Sequence, residues 1–261
     1  MLIMSKQKRE KLKKLFLAWP NGLPMTTMEL HKKGIDRNLL VRYKKSAWVD
    51  GLGRGAVVKK GDIPNWKGAV HALQFQLKLN IHVGGETALG LHGKLHYIPI
   101  GSMSVLSLFG PPGARLPVWF RAHSWDVKPK LVQTTMFENQ QGKNIGVIQI
   151  KEPYFLNVSS PERAILEVLF SVSDEYDFNE SQKMMDGLTN LRPVLVQALL
   201  EICKFVKVKR LFMYMAEKSG HKWLEDIDIS KIDFGSGPRL IVKNGKMNHK
   251  YQITVPKESE G

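Results

Sequence analysis

A chain of 261 residues with 43% apolar side chains is long enough for one large or two ordinary domains, each with a buried core. Its formal charge of +15 is lopsided: residues 1–62 hold 15 Lys and Arg against 5 Asp and Glu, net +10, while the other 199 hold 24 against 19, net +5, which points to a polyanion met by the N-terminal part. No run of 18 apolar residues, no signal-peptide core behind Met1 to Met4 and a single cysteine, Cys203, exclude a helical membrane span, an intramolecular disulfide and a Cys-rich zinc site, and fit a reducing cytoplasm.

Residues 5–19 predict a basic amphipathic helix, with Leu12, Leu15, Phe16 and Trp19 on one side and Lys6, Lys8, Arg9, Lys11, Lys13 and Lys14 over the rest. Alone it reads as a membrane-surface helix or a solvated face; placed before the next two helices it reads as the first helix of their domain. Pro20, Gly22 and Pro24 make the linking turn. Thr26-Thr27-Met28-Glu29 offers a capping box for a short helix over 27–33, Gly34 ends it, and Asp36 is placed to cap a second helix over 36–46.

At about 100° per residue, Leu39, Leu40, Tyr43 and Ala47 of that second helix share one arc, and Arg37, Asn38, Val41, Arg42, Lys44 and Lys45 the other. Arg and Asn can pair with guanine and adenine edges, and Lys is a phosphate partner, so the polar arc suits a recognition helix. Residues 48–60 follow with two short apolar runs about Asp50-Gly51, Gly53 and Gly55, a hairpin carrying Arg54 near its tip and Lys59 and Lys60 on the return strand. The order predicts a winged helix-turn-helix over 1–64 with DNA contacts at Arg37, Asn38, Arg42, Lys44, Lys45, Arg54, Lys59 and Lys60. The plainer alternative is a small domain whose Lys-rich helix and hairpin are merely solvated.

The remainder, 65–261, predicts a larger α+β domain. Residues 66–79 read as an apolar helix with Trp66, Val70, Leu73 and Leu77 on one face; Ile81-His82-Val83 as a strand; Gly84-Gly85 as a turn into a helix over 86–92. Runs 96–100, 104–109, 117–121 and 145–150 are β-rich, with a turn at 110–113 and a polar loop at 138–144. Ser159-Ser160-Pro161-Glu162 marks a helix start, with Ala164, Ile165, Val168 and Leu169 facing inward. Further helices are predicted over 180–188, 191–204 and 208–218, then strands over 240–243 and 251–255 divided by Asn244-Gly245.

Chemistry is sparse. His92 and His96 are four apart with His82 upstream, but Gly93 interrupts any helix that would align them and no Cys or carboxylate accompanies them, so no metal is expected. Gly84-Gly85 lacks the spacing of a nucleotide-binding loop. Glu225, Asp226, Asp228 and Asp233 include an Asp-x-Asp pair of the kind that holds Mg²⁺, without the upstream Gly-Ser loop or the third carboxylate that nucleotidyl transfer needs. No nucleophile elbow occurs. No catalytic residue and no cofactor is expected; an enzyme using Asp226 and Asp228, or a non-enzymatic RNA-binding protein, stays as the rival reading.

Three stretches carry a resemblance: 84–93 (GGETALGLHG), 158–167 (VSSPERAILE) and 207–212 (KVKRLF), in that order behind the winged helix. Together they resemble the AbiEi antitoxins of bacterial abortive-infection toxin–antitoxin systems over most of the chain. The resemblance implies a type IV antitoxin, opposed to a nucleotidyltransferase toxin without a stable complex. It also implies a winged helix that binds inverted repeats in double-stranded DNA at its own promoter and represses it, and a C-terminal domain needed for antitoxicity. It puts the DNA contacts on Arg37, Asn38, Arg42, Lys44, Lys45 and Arg54, residues already selected.

Overall fold

A computed structural model describes residues 6–95, 104–137, 145–151 and 153–257; the side chains of 6–9, 11 and 12 fall outside that description, as do the strand expected over 96–100 and the loop over 138–144. The chain is α+β and divides into two compact units: Met1–Ile81 with Ala114–Pro129 and Ile150–Leu156, and His82–Gly113 with Lys130–Gln149 and Asn157–Gly261.

The first unit begins α1 (Lys6–Ala18), β1 (Met25–Thr26), α2 (Thr27–Lys32), α3 (Arg37–Lys45), β2 (Val49–Gly51), β3 (Ala56–Lys59) and α4 (Trp66–His71), which runs on as a π-helical turn over Ala72–Gln76. Both N-caps form, Thr26 Oγ1 accepting from Glu29 N at 3.2 Å and Asp36 Oδ1 from Leu39 N at 2.7 Å, but the return half of the Thr26 capping box does not, because Thr26 N donates to Gln76 rather than to Glu29. Gly34, at φ +72°, makes the turn between the two helices. The three strands pair antiparallel in the order β1-β3-β2, and Leu15, Trp19, Leu30, Ile35, Leu39, Leu40, Tyr43, Val49 and Val57 form one core beneath them. β1 is only two residues long, and its free edge is closed by a side chain. Buried Gln76 accepts from Thr26 N at 2.8 Å and donates to Pro24 O at 2.9 Å, as a further strand would.

Two expectations fail here. Ala47, expected on the buried arc, is exposed at φ +52°, because α3 stops at Lys45 and the chain reverses into the wing. The run 117–121, expected as strand, is a helix, α6 (Val118–Ala122), because a five-residue apolar run has no period that separates the two structures.

The second unit is built on β4 (His82–Val83), α5 (Gly85–Leu91), β5 (Val105–Gly110), β6 (Lys128–Gln133), β7 (Val147–Lys151), β8 (Phe155–Ser159), α7 (Pro161–Ser171), α8 (Glu175–Asp186), α9 (Pro193–Ile202) and α10 (Val206–Lys218), closing with β9 (Lys246–Asn248) and β10 (Ile253–Val255). The sheet order is β6-β5-β4-β8-β7, with β4 antiparallel to β5 (Val83↔Leu108) and parallel to β8 (Val83↔Val158). β6 contains Pro129 and lies at an edge, the place where a missing donor is tolerated. The strand expected over 240–243 is reduced to one bridge, Arg239↔Ile253, because Ile241 N and Val242 N donate to Thr254 Oγ1 rather than to a neighbouring strand. The strand that pairs with β10 comes after Asn244-Gly245 instead.

The centre of this unit is the carboxylate of Glu167 on α7, 1% exposed. It accepts from His82 Nε2 at 2.8 Å, Gly85 N at 3.0 Å, Ser159 Oγ at 2.8 Å and Arg163 Nε at 2.9 Å. Burial pushes such a group towards its neutral form, but the charge and hydrogen bonds of His82 and Arg163 outweigh it and hold the carboxyl below its usual range. A Cβ on Gly84 would lie 2.2 Å from this carboxylate and 2.5 Å from Phe109, and Gly85 takes φ +53°, so both glycines are demanded by the approach. Ser160 stands at the N-cap of α7 without a side-chain capping bond; Ser159, the other serine, is used on Glu167. At the same helix start Glu162 takes Arg192 Nε at 2.9 Å, Nη2 at 3.0 Å and backbone N at 3.0 Å. Arg210 on α10 fastens the tail by donating to Phe234 O, Gly235 O and Gly237 O.

Glu167→Ala strands the buried Arg163 guanidinium, so it should cost about 3–5 kcal/mol in urea denaturation, and Arg163→Ala added to it should cost far less than the sum of the singles. Glu162 gives a pH signature. Burial works against its ionisation, but the bonds from Arg192 bring it from 4.5 down to about 2. Its contribution is complete above pH 4.5 and is lost as pH falls towards about 2. Allowing for screening at the exposed Arg192, Glu162→Gln should cost about 2 kcal/mol at pH 7 and converge with the parent near pH 2.

Candidate nucleic-acid interface

Helix α3 is two-faced because its caps fix where it starts and its three large apolar residues fix how it turns. Leu39, Leu40 and Tyr43 are buried; Arg37, Asn38, Val41, Arg42, Lys44 and Lys45 are exposed. No acid lies on the exposed arc, and among the described residues none of Arg37, Arg42, Lys44 and Lys45 is held in an ion pair. Arg42, Lys44 and Lys45 sit in the last turn, where the helix dipole favours cations. Arg37 and Asn38 are at the N-terminal end, the part of a recognition helix that meets base edges. Nine residues make about 13 Å of helix, matched to a major groove about 12 Å wide. Beneath it Tyr43 is 1% exposed, and burial, with the nearby Asp36, raises its phenol above the usual range.

The wing adjoins this helix: Lys44 Nζ lies 3.5 Å from where a Cβ of Gly51 would be. Arg54 is exposed in the wing loop between Gly53 at φ +99° and Gly55 at φ +110°. The return strand is engaged differently. Lys59 is half-buried and donates to Trp19 O at 2.9 Å and to Asn21 Oδ1, and Lys60 pairs with Asp50 at 3.0 Å on the surface. Six of the eight candidate residues thus form one exposed cationic face on α3 and the wing loop, while Lys59 serves the domain's own backbone.

The other constellations come apart. His82 is used on Glu167, His92 Nε2 lies 2.9 Å from Ser159 O, and His96 is outside the described residues. Among the described residues no three His, Cys, Asp or Glu side chains are arranged to hold a metal ion. Asp228 accepts from Ser230 N and Oγ and pairs with Lys231 at 3.1 Å; Ser230 and Lys231 hold it below the usual carboxylate range. Asp233 accepts from Gly235 N at 2.7 Å, so both acids close local turns. Burial pushes the Cys203 thiol up, leaving it inert. Among the described residues no helix is long and apolar enough to cross a membrane.

Two family models match the chain, one after the other along the sequence. The sequence model of the family described as "Transcriptional regulator, AbiEi antitoxin, Type IV TA system" matches residues 103–256, and that of "Transcriptional regulator, AbiEi antitoxin N-terminal domain" matches 8–100. Among solved structures, "Crystal structure of RV2827C protein from Mycobacterium tuberculosis" has the same fold: TM-score 0.59 at 13% identity, over 95% of this chain and 91% of that one. A search of curated proteins found no match.

The two kinds of lysine separate experimentally. Lys59→Ala removes a charged donor from Trp19 O and should cost about 2 kcal/mol in thermal melting, while Arg37→Ala and Lys45→Ala should melt within about 0.5 kcal/mol of the parent.

Proposed function

The chain belongs to the AbiEi antitoxin family of transcriptional regulators of type IV toxin–antitoxin systems, and from this we propose that it represses its own operon by binding inverted repeats in the promoter. The observation that carries the reading is the unpaired cationic arc of α3 beside the wing loop. Helix α3 enters the major groove; Arg37, Asn38 and Arg42 read base edges, and Lys44, Lys45 and Arg54 neutralise phosphates. Counterion release from three to five such contacts gives a log–log salt slope of about −3 to −5.

The second unit opposes a nucleotidyltransferase toxin without forming a stable complex with it and without catalysis of its own. Supporting this, Glu167 is committed to four donors, Glu162 to Arg192 and Arg210 to backbone carbonyls. A metal-dependent role for Asp226 and Asp228 gains nothing from a carboxylate already spent on Ser230 and Lys231.

The test is a titration of the full chain against its own upstream DNA and a scrambled duplex. Arg42→Ala should lose about 1–3 kcal/mol on the upstream DNA and little on the scrambled one, and Lys45→Ala should weaken both alike. Unchanged affinity in both variants would remove α3 from the interface.

A further inference from the structure

We infer that Val41 reads the 5-methyl group of thymine in the major groove, which makes this apolar side chain a specificity-determining residue of α3. The inference rests on the DNA-binding reading above and deepens it: the helix selects thymine by an apolar atom as well as pairing with polar base edges.

Val41 is the apolar member of an otherwise polar arc. It is 44% exposed, while Leu39, Leu40 and Tyr43 on the opposite side are buried. At about 100° per residue, the line directly opposite the middle of the buried side runs between Val41 and Asn38. Lys45 lies close to that line, and Arg37 and Arg42 flank it. Val41 therefore stands near the centre of the outward face, the part of a groove-bound helix that comes closest to base edges. It is not at the margin beside Leu40, where its methyls would tuck against the core.

Neither the core nor the helix itself calls for a valine there. A β-branched residue is a weaker helix former than Ala, Lys or Arg, and at this position its methyl groups meet water. What valine supplies is stiffness. Inside a helix its χ1 is held in one strongly preferred rotamer, so both methyls point one way before DNA arrives and little side-chain freedom is lost on binding.

The groove's own chemistry then names the partner. Among the groups by which bases are told apart in the major groove, those of adenine, guanine and cytosine are donors and acceptors, and the apolar one is the C5-methyl of thymine. Side chains three and four apart on a helix have Cβ atoms about 5–6 Å from one another, and successive base pairs rise by about 3.4 Å. The thymine met by Val41 thus lies one or two steps from the bases met by Arg37 and Asn38.

The experiment measures binding of the full chain to four duplexes: its upstream DNA, the same DNA with deoxyuridine for every thymine, the same DNA with 5-methylcytosine for every cytosine, and a scrambled sequence. Deoxyuridine pairs with adenine as thymine does and lacks only the methyl. The proteins are the parent, Val41→Ala and Arg42→Ala. Alanine is the strongest helix former and the position is exposed, so Val41→Ala keeps the fold, and a parent-like thermal melt checks this. The parent should lose about three- to tenfold on deoxyuridine DNA. Val41→Ala should bind the thymine DNA about three- to fivefold more weakly, respond to deoxyuridine about threefold less than the parent, and bind the scrambled duplex as the parent does. An equal response to deoxyuridine in the parent and Val41→Ala, while Arg42→Ala loses its preference, would overturn the methyl contact and leave the recognition helix standing. Tighter binding to the 5-methylcytosine DNA with no response to deoxyuridine would overturn it too, by assigning the methyl to cytosine. If Arg42→Ala is also silent, the DNA-binding reading and this inference fall together.

Discussion

A carboxylate almost fully withdrawn from water has to be supplied with donors, and in the second unit that requirement is met from four directions at once. Glu167 draws on β4 through His82, on the start of α5 through Gly85, on the end of β8 through Ser159, and on its own helix through Arg163. Removing any donor leaves the buried charge short of a partner at a cost of several kcal/mol, so the parallel pairing of β4 with β8 and the approach of α5 to α7 are fixed together. The GGETALGLHG and VSSPERAILE stretches are the two sides of this one arrangement. Arg163 also lies 4.6 Å from the ring of Phe137 and donates to Ile145 O, which draws β7's approach into the same network.

The first unit works by the opposite allocation of charge. Its cations are kept out of internal pairing on α3 and the wing loop, and its few buried polar groups are spent on making that face rigid. Gln76 closes the edge of β1, Lys59 ties β3 to the end of α1, and Trp19 Nε1 donates to Leu23 O at 2.7 Å. A preorganised cationic helix loses little entropy on meeting a groove, which is what a sequence-reading surface needs. The wing is held in turn by α6, whose Trp119 lies against Gly53 and Gly55.

What could be read from sequence alone was whatever depends on near neighbours. The caps at Thr26 and Asp36, the turn at Gly34 and the two arcs of α3 all follow from residues within one or two turns of helix, and the structure has each of them. Ala47 was misplaced because a helical period says nothing of where the helix stops. The run 117–121 could not be told from a strand because five apolar residues show no period, and the partners that lie against Trp119, Gly53 and Gly55, are distant in sequence. The separate fate of Lys59 is likewise invisible in a string: a return-strand lysine of a basic hairpin looks like its neighbour Lys60 until the backbone carbonyl of Trp19 is brought beneath it. The family stretches were legible as motifs but not as a mechanism, since the residue joining them, Glu167, reads in sequence as one more helix acid.

The central claim is that a defined face of the first unit reads DNA in the protein's own promoter. Nuclease footprinting of the full chain on that upstream region tests it most directly. The account predicts protected segments about one groove wide over each arm of an inverted repeat, at a protein concentration that leaves flanking DNA open. Protection that spreads evenly over the fragment, or none before the whole fragment is coated, would contradict it.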